Sequence, residues 1–153
     1  MKYRMLTHDE LIPLEEDLKQ FLIVNGMDGS TWEELNADSP EKANDLVGLF
    51  SDLVLQKVYE KILFLEHRSV KSCLVFKCGK TRIDLISITN RGEGDLSTPE
   101  GIHDCILKRP KELSVFKTSK KYTQVREIEI HGMIEDGCVL GCGAFWMSLE
   151  KVI

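Results

Sequence analysis

Apolar residues recur every three or four positions through the first part of the chain and at every second position later on, so the sequence predicts helices followed by strands. Leu11, Leu14, Leu18 and Phe21 or Leu22 keep helical spacing behind Thr7 and Glu10, a capping-box pair, and Asn25-Gly26 supplies a left-handed stop. Pro13 either kinks the first turn or serves as the first helical residue. Ser30 and Glu33 repeat the capping pattern for a short helix carrying Trp32 and Leu35. Ser39-Pro40-Glu41 then opens the strongest element, predicted from about Pro40 to about Glu66. Its apolar stripe is Val47, Phe50, Val54, Val58, Ile62 and Leu65, widened by Leu46, Leu49, Leu53 and Phe64. Thirteen of the twenty residues from Leu46 to Leu65 are apolar, more than two short helices are expected to cover.

After His67-Arg68-Ser69 the period shortens. Ser72 to Lys77 and Thr81 to Ile88 are β-branched and apolar, with Cys78-Gly79-Lys80 as a hairpin turn. Thr89 to Gly101 is the longest loop, Ser97-Thr98-Pro99-Glu100 starts a helical turn leading to Leu107, and a strand follows at about Glu112 to Thr118. Asp136-Gly137 favours a two-residue hairpin turn, which predicts strands at Arg126 to Glu135 and Cys138 to Met147. Alternation then makes Ile128, Ile130, Ile134, Val139, Phe145 and Met147 the core face, with Gly132, Gly141 and Gly143 where another element comes close. The expected architecture is α+β: three N-terminal helices packed on a mostly antiparallel sheet of four or five strands. It is read as a single domain, 1–153, with a helical part at about 7–67 and a sheet part at about 70–149.

Composition fits an ordinary globular chain of 153 residues, 42% hydrophobic and 29% charged. The longest apolar runs, Ile62 to Leu65 and Cys73 to Phe76 among them, are four residues, far below the ~20 that cross a bilayer, so no membrane association is expected. The N-terminus does not continue into a secretory leader, and a cytoplasmic location is expected. Net charge is −5, unevenly spread: residues 1–66 hold fourteen acids against six bases, and residues 67–153 hold eleven against fourteen. Lys108, Arg109, Lys111, Lys117, Lys120, Lys121 and Arg126 are read as a solvated basic surface, not a nucleic-acid site.

The five cysteines, Cys73, Cys78, Cys105, Cys138 and Cys142, are an odd number without a CxxC pair, which suits free thiols in a reducing compartment. Four residues along one strand, as predicted for Cys138 and Cys142, span about 13 Å, too far for a shared zinc. A metal site would need ligands from separate elements, such as His131, Cys142, His103 and Cys105, so no metal and no cofactor is expected. Arg91-Gly92-Glu93-Gly94-Asp95 lacks the spacing of a phosphate loop and carries two acids that repel phosphate. No nucleophile elbow, zincin motif or P-loop is present.

Three residue groups remain as candidates. Leu49, Leu53 and Leu63 lie on the flank of the long helix that its neighbours are not expected to cover, and form a candidate oligomer face. Gly48, Asp52 and Tyr59 share the less apolar side of that helix, where the glycine would admit a close neighbour and Asp52 with Tyr59 would form a polar seam. His131 and Cys142 would be directly opposed across the predicted hairpin, about 5 Å apart, where an imidazole activates a thiol.

The opening Met1-Lys2-Tyr3-Arg4-Met5-Leu6-Thr7, the Trp32-Glu33 pair, and Leu49-Phe50-Ser51-Asp52-Leu53-Val54 with Tyr59, Leu65-Glu66 and Arg68-Ser69 resemble a family of short uncharacterised bacterial proteins, a domain of unknown function. The resemblance lies mainly in residues 1–69 and implies a bacterial cytoplasmic protein; it brings no catalytic or cofactor residue with it. The favoured expectation is a non-catalytic interaction or assembly domain, self-associating or holding a protein partner. The alternative is a small enzyme or thiol-dependent sensor with a site between the sheet and the 89–101 loop.

Overall fold

Thr7 and Glu10 form the reciprocal cap their spacing predicts. The Glu10 N–H donates to Thr7 Oγ1 at 3.2 Å and the Thr7 N–H to Glu10 Oε1 at 3.0 Å, opening α1 (His8–Leu11) in the computed structural model, which describes residues 1–153. Pro13 cannot donate an N–H to a continuing helix, and the chain tightens into a 3-10 turn, Ile12–Leu14, before α2 (Glu15–Val24). The helix expected as one piece is therefore broken at the proline.

Asn25-Gly26 ends α2 as predicted: Gly26 takes φ +80°, its N–H bonds to Ile23 and that of Met27 to Leu22, a Schellman cap. For α3 (Gly29–Asp38) the cap is Asp28 and not Ser30, because the Asp28 carboxylate takes the Thr31 N–H at 2.8 Å with Ser30 beside it. Pro40 starts α4 (Pro40–Lys61), which stops five residues short of the expected Glu66. Phe64 to Arg68 is a strand instead, drawn into ladders that helical periodicity within the segment does not reveal.

The buried side of α4 is Ala43, Gly48, Phe50, Ser51, Leu55 and Tyr59, rotated away from the expected stripe, of which Val58 is exposed. The cause is the extended N-terminal segment, which lies along the Gly48–Asp52–Tyr59 side and buries Leu6 with its N–H on Ser51 Oγ at 3.1 Å. The chain divides into two compact units, Met1–Glu60 and Lys61–Ile153, and the helices so far make up the first.

The second unit is built on a five-stranded antiparallel sheet: β1 (Phe64–Arg68), β2 (Ser72–Cys78), β3 (Arg82–Asn90), β4 (Leu113–Lys121) and the short β5 (Val139–Leu140), in the order β4-β3-β2-β1-β5. The β2–β3 hairpin turns at Gly79 as predicted, and Thr98 caps α5 (Pro99–Lys108) by accepting the Gly101 N–H at 3.0 Å. The register sorts the side chains. Cys73, Val75, Ile86 and Ile88 share one face and pack with Leu96, with Ile102 and Cys105 of α5, and with Trp146 and Leu149 of α7 (Gly143–Val152). Leu74, Phe76 and Ile83 are on the other face, beneath α6 (Arg126–Glu135).

The predicted C-terminal hairpin is absent. Its two strands are α6 and α7, with only Val139–Leu140 extended between them. A type I′ turn needs positive φ at both central residues, but Asp136 has φ −81° and only Gly137 is positive, at +107°. Gly137 closes a second Schellman cap, its N–H on Ile134 and that of Cys138 on Met133, both at 3.0 Å. Of the residues assigned to a core face there, Ile130 is fully buried, while Met147 is exposed because helix periodicity governs its segment and Val139 is exposed on the two-residue strand at the end of the sheet. Gly141 does admit a close neighbour: a Cβ there would meet the Leu65 nitrogen at 3.2 Å, where β5 joins β1.

Candidate functional site

In the first unit, apolar surface gathers on α4 beside the seat of the N-terminal segment. Leu49 and Leu53, one turn apart, are 56% and 52% exposed. With Phe21 of α2 they line an open cavity of about 310 Å³, whose polar rim is Lys2, Asn25, Asp52 and Gln56. Phe21 is anchored from below by the Phe50 ring, 5.5 Å away between centroids. Leu63, predicted on the same face, is exposed but lies beyond the end of α4, in the second unit.

One wall of the cavity is fixed by the polar seam. Asp52 accepts the backbone N–H of Lys2 at 2.6 Å on one carboxylate oxygen and that of Tyr3 at 2.9 Å on the other. Gln56 Oε1 accepts from the Tyr3 hydroxyl and from Lys2 Nζ at 3.2 Å, and Gln56 in turn donates to Glu60 at 3.0 Å. Tyr59 meets Tyr3 edge to face, centroids 5.0 Å apart. The structure thus brings Asp52 and Tyr59 to the same seam but joins each to the N-terminal segment. Gly48 is not required by crowding, since an added Cβ would sit at ordinary contact distance, 3.5 Å from Met1 Sδ. Nothing in the residue pattern of 1–6 marked it as a strap; Asp52 within the apolar stretch Leu46 to Leu55 was the available signal.

The second unit has its own cavity, about 360 Å³, between α6 and the open sheet face. Leu74, Phe76 and Ile83 form its floor, and His67, Glu129 and Cys138 contribute polar atoms. Glu129 is buried and its carboxylate is already engaged, by the Thr123 N–H at 2.8 Å and Lys120 at 3.4 Å. Burial pushes the Cys138 thiol up, with Asp136 adding to the effect.

His131 and Cys142 are not opposed. His131 lies on α6 with Nε2 4.0 Å from Glu135, one helical turn on, while Cys142 is the exposed residue that precedes α7. The cross-strand argument for an activated thiol falls with the hairpin that carried it. All five cysteines are free, and burial raises Cys73 and Cys78 to about 11. The 89–101 loop closes down on the sheet face and the β1–β2 turn: Leu96 is fully buried, its N–H bonds to Val70, and Asn90 ties the turn by accepting from Gly92 and donating to Glu93. Side chains of His, Cys, Asp and Glu form no group of three able to hold a metal. No helix is long and apolar enough to cross a membrane.

N-terminal helices followed by a five-stranded antiparallel sheet with further helices define an α+β protein, and its first unit carries an open apolar surface on the α2–α4 helix pair. The chain belongs to DUF6495, a family of unknown function, whose family model matches residues 1–153. The match spans the full chain, where the resemblance read from the sequence was concentrated in its first half. Neither the curated proteins nor the solved structures contain a match.

Proposed function

We propose that this protein is a non-catalytic assembly module that joins a second copy of itself through the α2–α4 face. The observation that carries the reading is the pair Leu49 and Leu53, both more than half exposed and facing a cavity floored by Phe21. Fully burying an exposed leucine side chain contributes about 1.5–3 kcal/mol, of which about half is left to gain at Leu49 and Leu53. In a two-fold contact each leucine counts twice, about 3–6 kcal/mol in all, and burial of the Phe21 ring has to supply the rest of the about 8 kcal/mol that a micromolar affinity requires. The same face also fits a protein partner with a complementary apolar helix. Burial raises the Cys73 and Cys78 thiols, which disfavours these two as thiolate nucleophiles at neutral pH. A site between the sheet and the 89–101 loop has less support, since Leu96 and Cys105 fill that position.

Sedimentation velocity at micromolar concentration tests the proposal. The wild type is expected to run as a dimer or larger species, and Leu49→Glu with Leu53→Glu to lose one association step while keeping its helical circular dichroism. A wild type that sediments as a monomer, or a double variant that assembles as the wild type does, overturns it.

A further inference from the structure

The sheet ends at β4, and its outer edge is open. Natural edge strands are usually short, bulged, proline-bearing or covered. This one runs nine residues, Leu113–Lys121, paired with β3 without a break in register from Asn90↔Leu113 to Arg82↔Lys121. Every residue after Leu113 is exposed, including Phe116 at 53% and Val115. One line of main-chain donors and acceptors therefore faces solvent beside an exposed aromatic ring.

We infer that this edge is a second self-association surface, on which β4 of another copy adds antiparallel to extend the sheet across a two-fold axis at Phe116. The sequence of the strand selects that register. An axis perpendicular to the sheet keeps each face on its own side, so directly opposed residues must share a face and the axis must pass through a residue. Centred on Phe116, the ring opposes its symmetry mate, Val115 opposes Lys117, Ser114 opposes Thr118 and Leu113 opposes Ser119. No lysine faces a lysine within the strand. Centring on Lys117 sets that ammonium against its own copy, and centring on Thr118 sets Phe116 against Lys120. Moving to Val115 shortens the ladder to five residues and opposes Leu113 with Lys117. The Phe116 centre gives the ring an apolar mate, at the cost of Val115 opposite Lys117, and the lysines that ordinarily guard an edge disfavour the alternatives. Lys117 and Lys120 are moreover partly neutralised within the chain, by Glu150 at 3.2 Å and Glu129 at 3.4 Å. On the opposite face, the exposed apolar end of α7, Val152 and Ile153, borders the same strand through a cavity shared with Leu113 and Val115.

Cysteine cross-linking separates this surface from the α2–α4 face. In a Cys142→Ser background, which removes the exposed thiol, Phe116→Cys is expected to form an interchain disulfide under mild oxidation. Ser114→Cys mixed with Thr118→Cys is expected to give the crossed dimer, whereas Ser114→Cys alone gives none, its two copies being about 13 Å apart. In sedimentation, Phe116→Lys is expected to remove one association step from the wild type and to leave the Leu49→Glu, Leu53→Glu chain monomeric. Failure of Phe116→Cys to cross-link in a protein that still associates overturns this inference and leaves the α2–α4 reading standing. Equal cross-linking by Ser114→Cys alone overturns the register, and a wild type that stays monomeric overturns both.

Discussion

Arg126 donates to three main-chain carbonyls at once: Gly79 at 3.0 Å, Cys78 at 3.2 Å, and Ile62. Its side chain is only 12% exposed, so the cation counted in a basic surface from the sequence is instead a clamp joining the start of α6 to the β2–β3 turn and to the approach to β1. Hydrogen bonds to a charged donor are worth about 1.5–3 kcal/mol each before non-additivity. Arg126→Ala is therefore expected to cost about 2–4 kcal/mol in urea unfolding. Arg126→Lys is expected to recover less than half of that, since an ammonium lacks the planar fork that reaches separate acceptors. Glu10 illustrates a weaker case. Hydrogen bonding from the Arg4 guanidinium, at 2.8 and 2.9 Å, and from the Thr7 N–H holds its carboxyl down at about 2 from 4.5. A depressed acid stabilises the fold above its unfolded value and loses that contribution as pH falls toward the folded one. Stability is expected to decline between pH 4.5 and about 2 more in the wild type than in Glu10→Gln. Both partners are more than a third exposed, so solvent screening keeps the difference below about 1 kcal/mol. Unfolding midpoints measured across that range check it.

Two glycines end helices in the same way, and their surroundings set them apart. Gly26 at φ +80° has open space where a Cβ would be, while at Gly137, φ +107°, a Cβ would also come within 3.4 Å of His67 Nε2. Gly26→Ala is expected to cost about 1 kcal/mol and Gly26→Asn less, because asparagine tolerates the left-handed region. Gly137→Ala is expected to cost more than Gly26→Ala, and thermal unfolding of the three variants tests the order. The pair of caps also shows what a local reading of sequence can resolve. Asn25-Gly26 was legible because the preceding period was unambiguous. Asp136-Gly137 was not: isoleucines at 128, 130 and 134 satisfy alternation, yet 130 and 134 are also one helical turn apart, and Gly suits either a hairpin turn or a helix stop. Helix starts with a local signature, those of α1, α4 and α5, were therefore predicted closely. Features decided by distant partners were missed: β1 is a strand because β2 pairs with it, and the buried side of α4 is set by residues 1–6. The exposure of Leu49 and Leu53 was legible for the same reason α4 was, as an excess of apolar positions over available cover.

Across the whole molecule, charge is segregated by unit. Residues 1–60 hold thirteen acids against five bases, and residues 61–153 hold twelve against fifteen. The basic excess of the second unit is smaller in effect than in number. Of the seven cations between Lys108 and Arg126, Lys108 is paired with Asp104 at 2.8 Å, Lys117 with Glu150, Lys120 with Glu129, and Arg126 is committed to carbonyls. Arg109, Lys111 and Lys121 remain to meet a phosphate backbone. Each neutralised phosphate contributes about 0.9 to the slope of log affinity against log salt. Three contacts give a slope near −3, too shallow for tight binding at physiological ionic strength, and the acidic first unit adds net charge that opposes it. No association with labelled duplex or single-stranded nucleic acid is expected at about 150 mM salt, and any binding at low salt is expected to vanish before that point. Fluorescence anisotropy over a salt series measures this directly. Submicromolar binding at about 150 mM salt that Lys120→Glu with Lys121→Glu abolishes would mean that the edge strand receives a polyanion instead of a second β4.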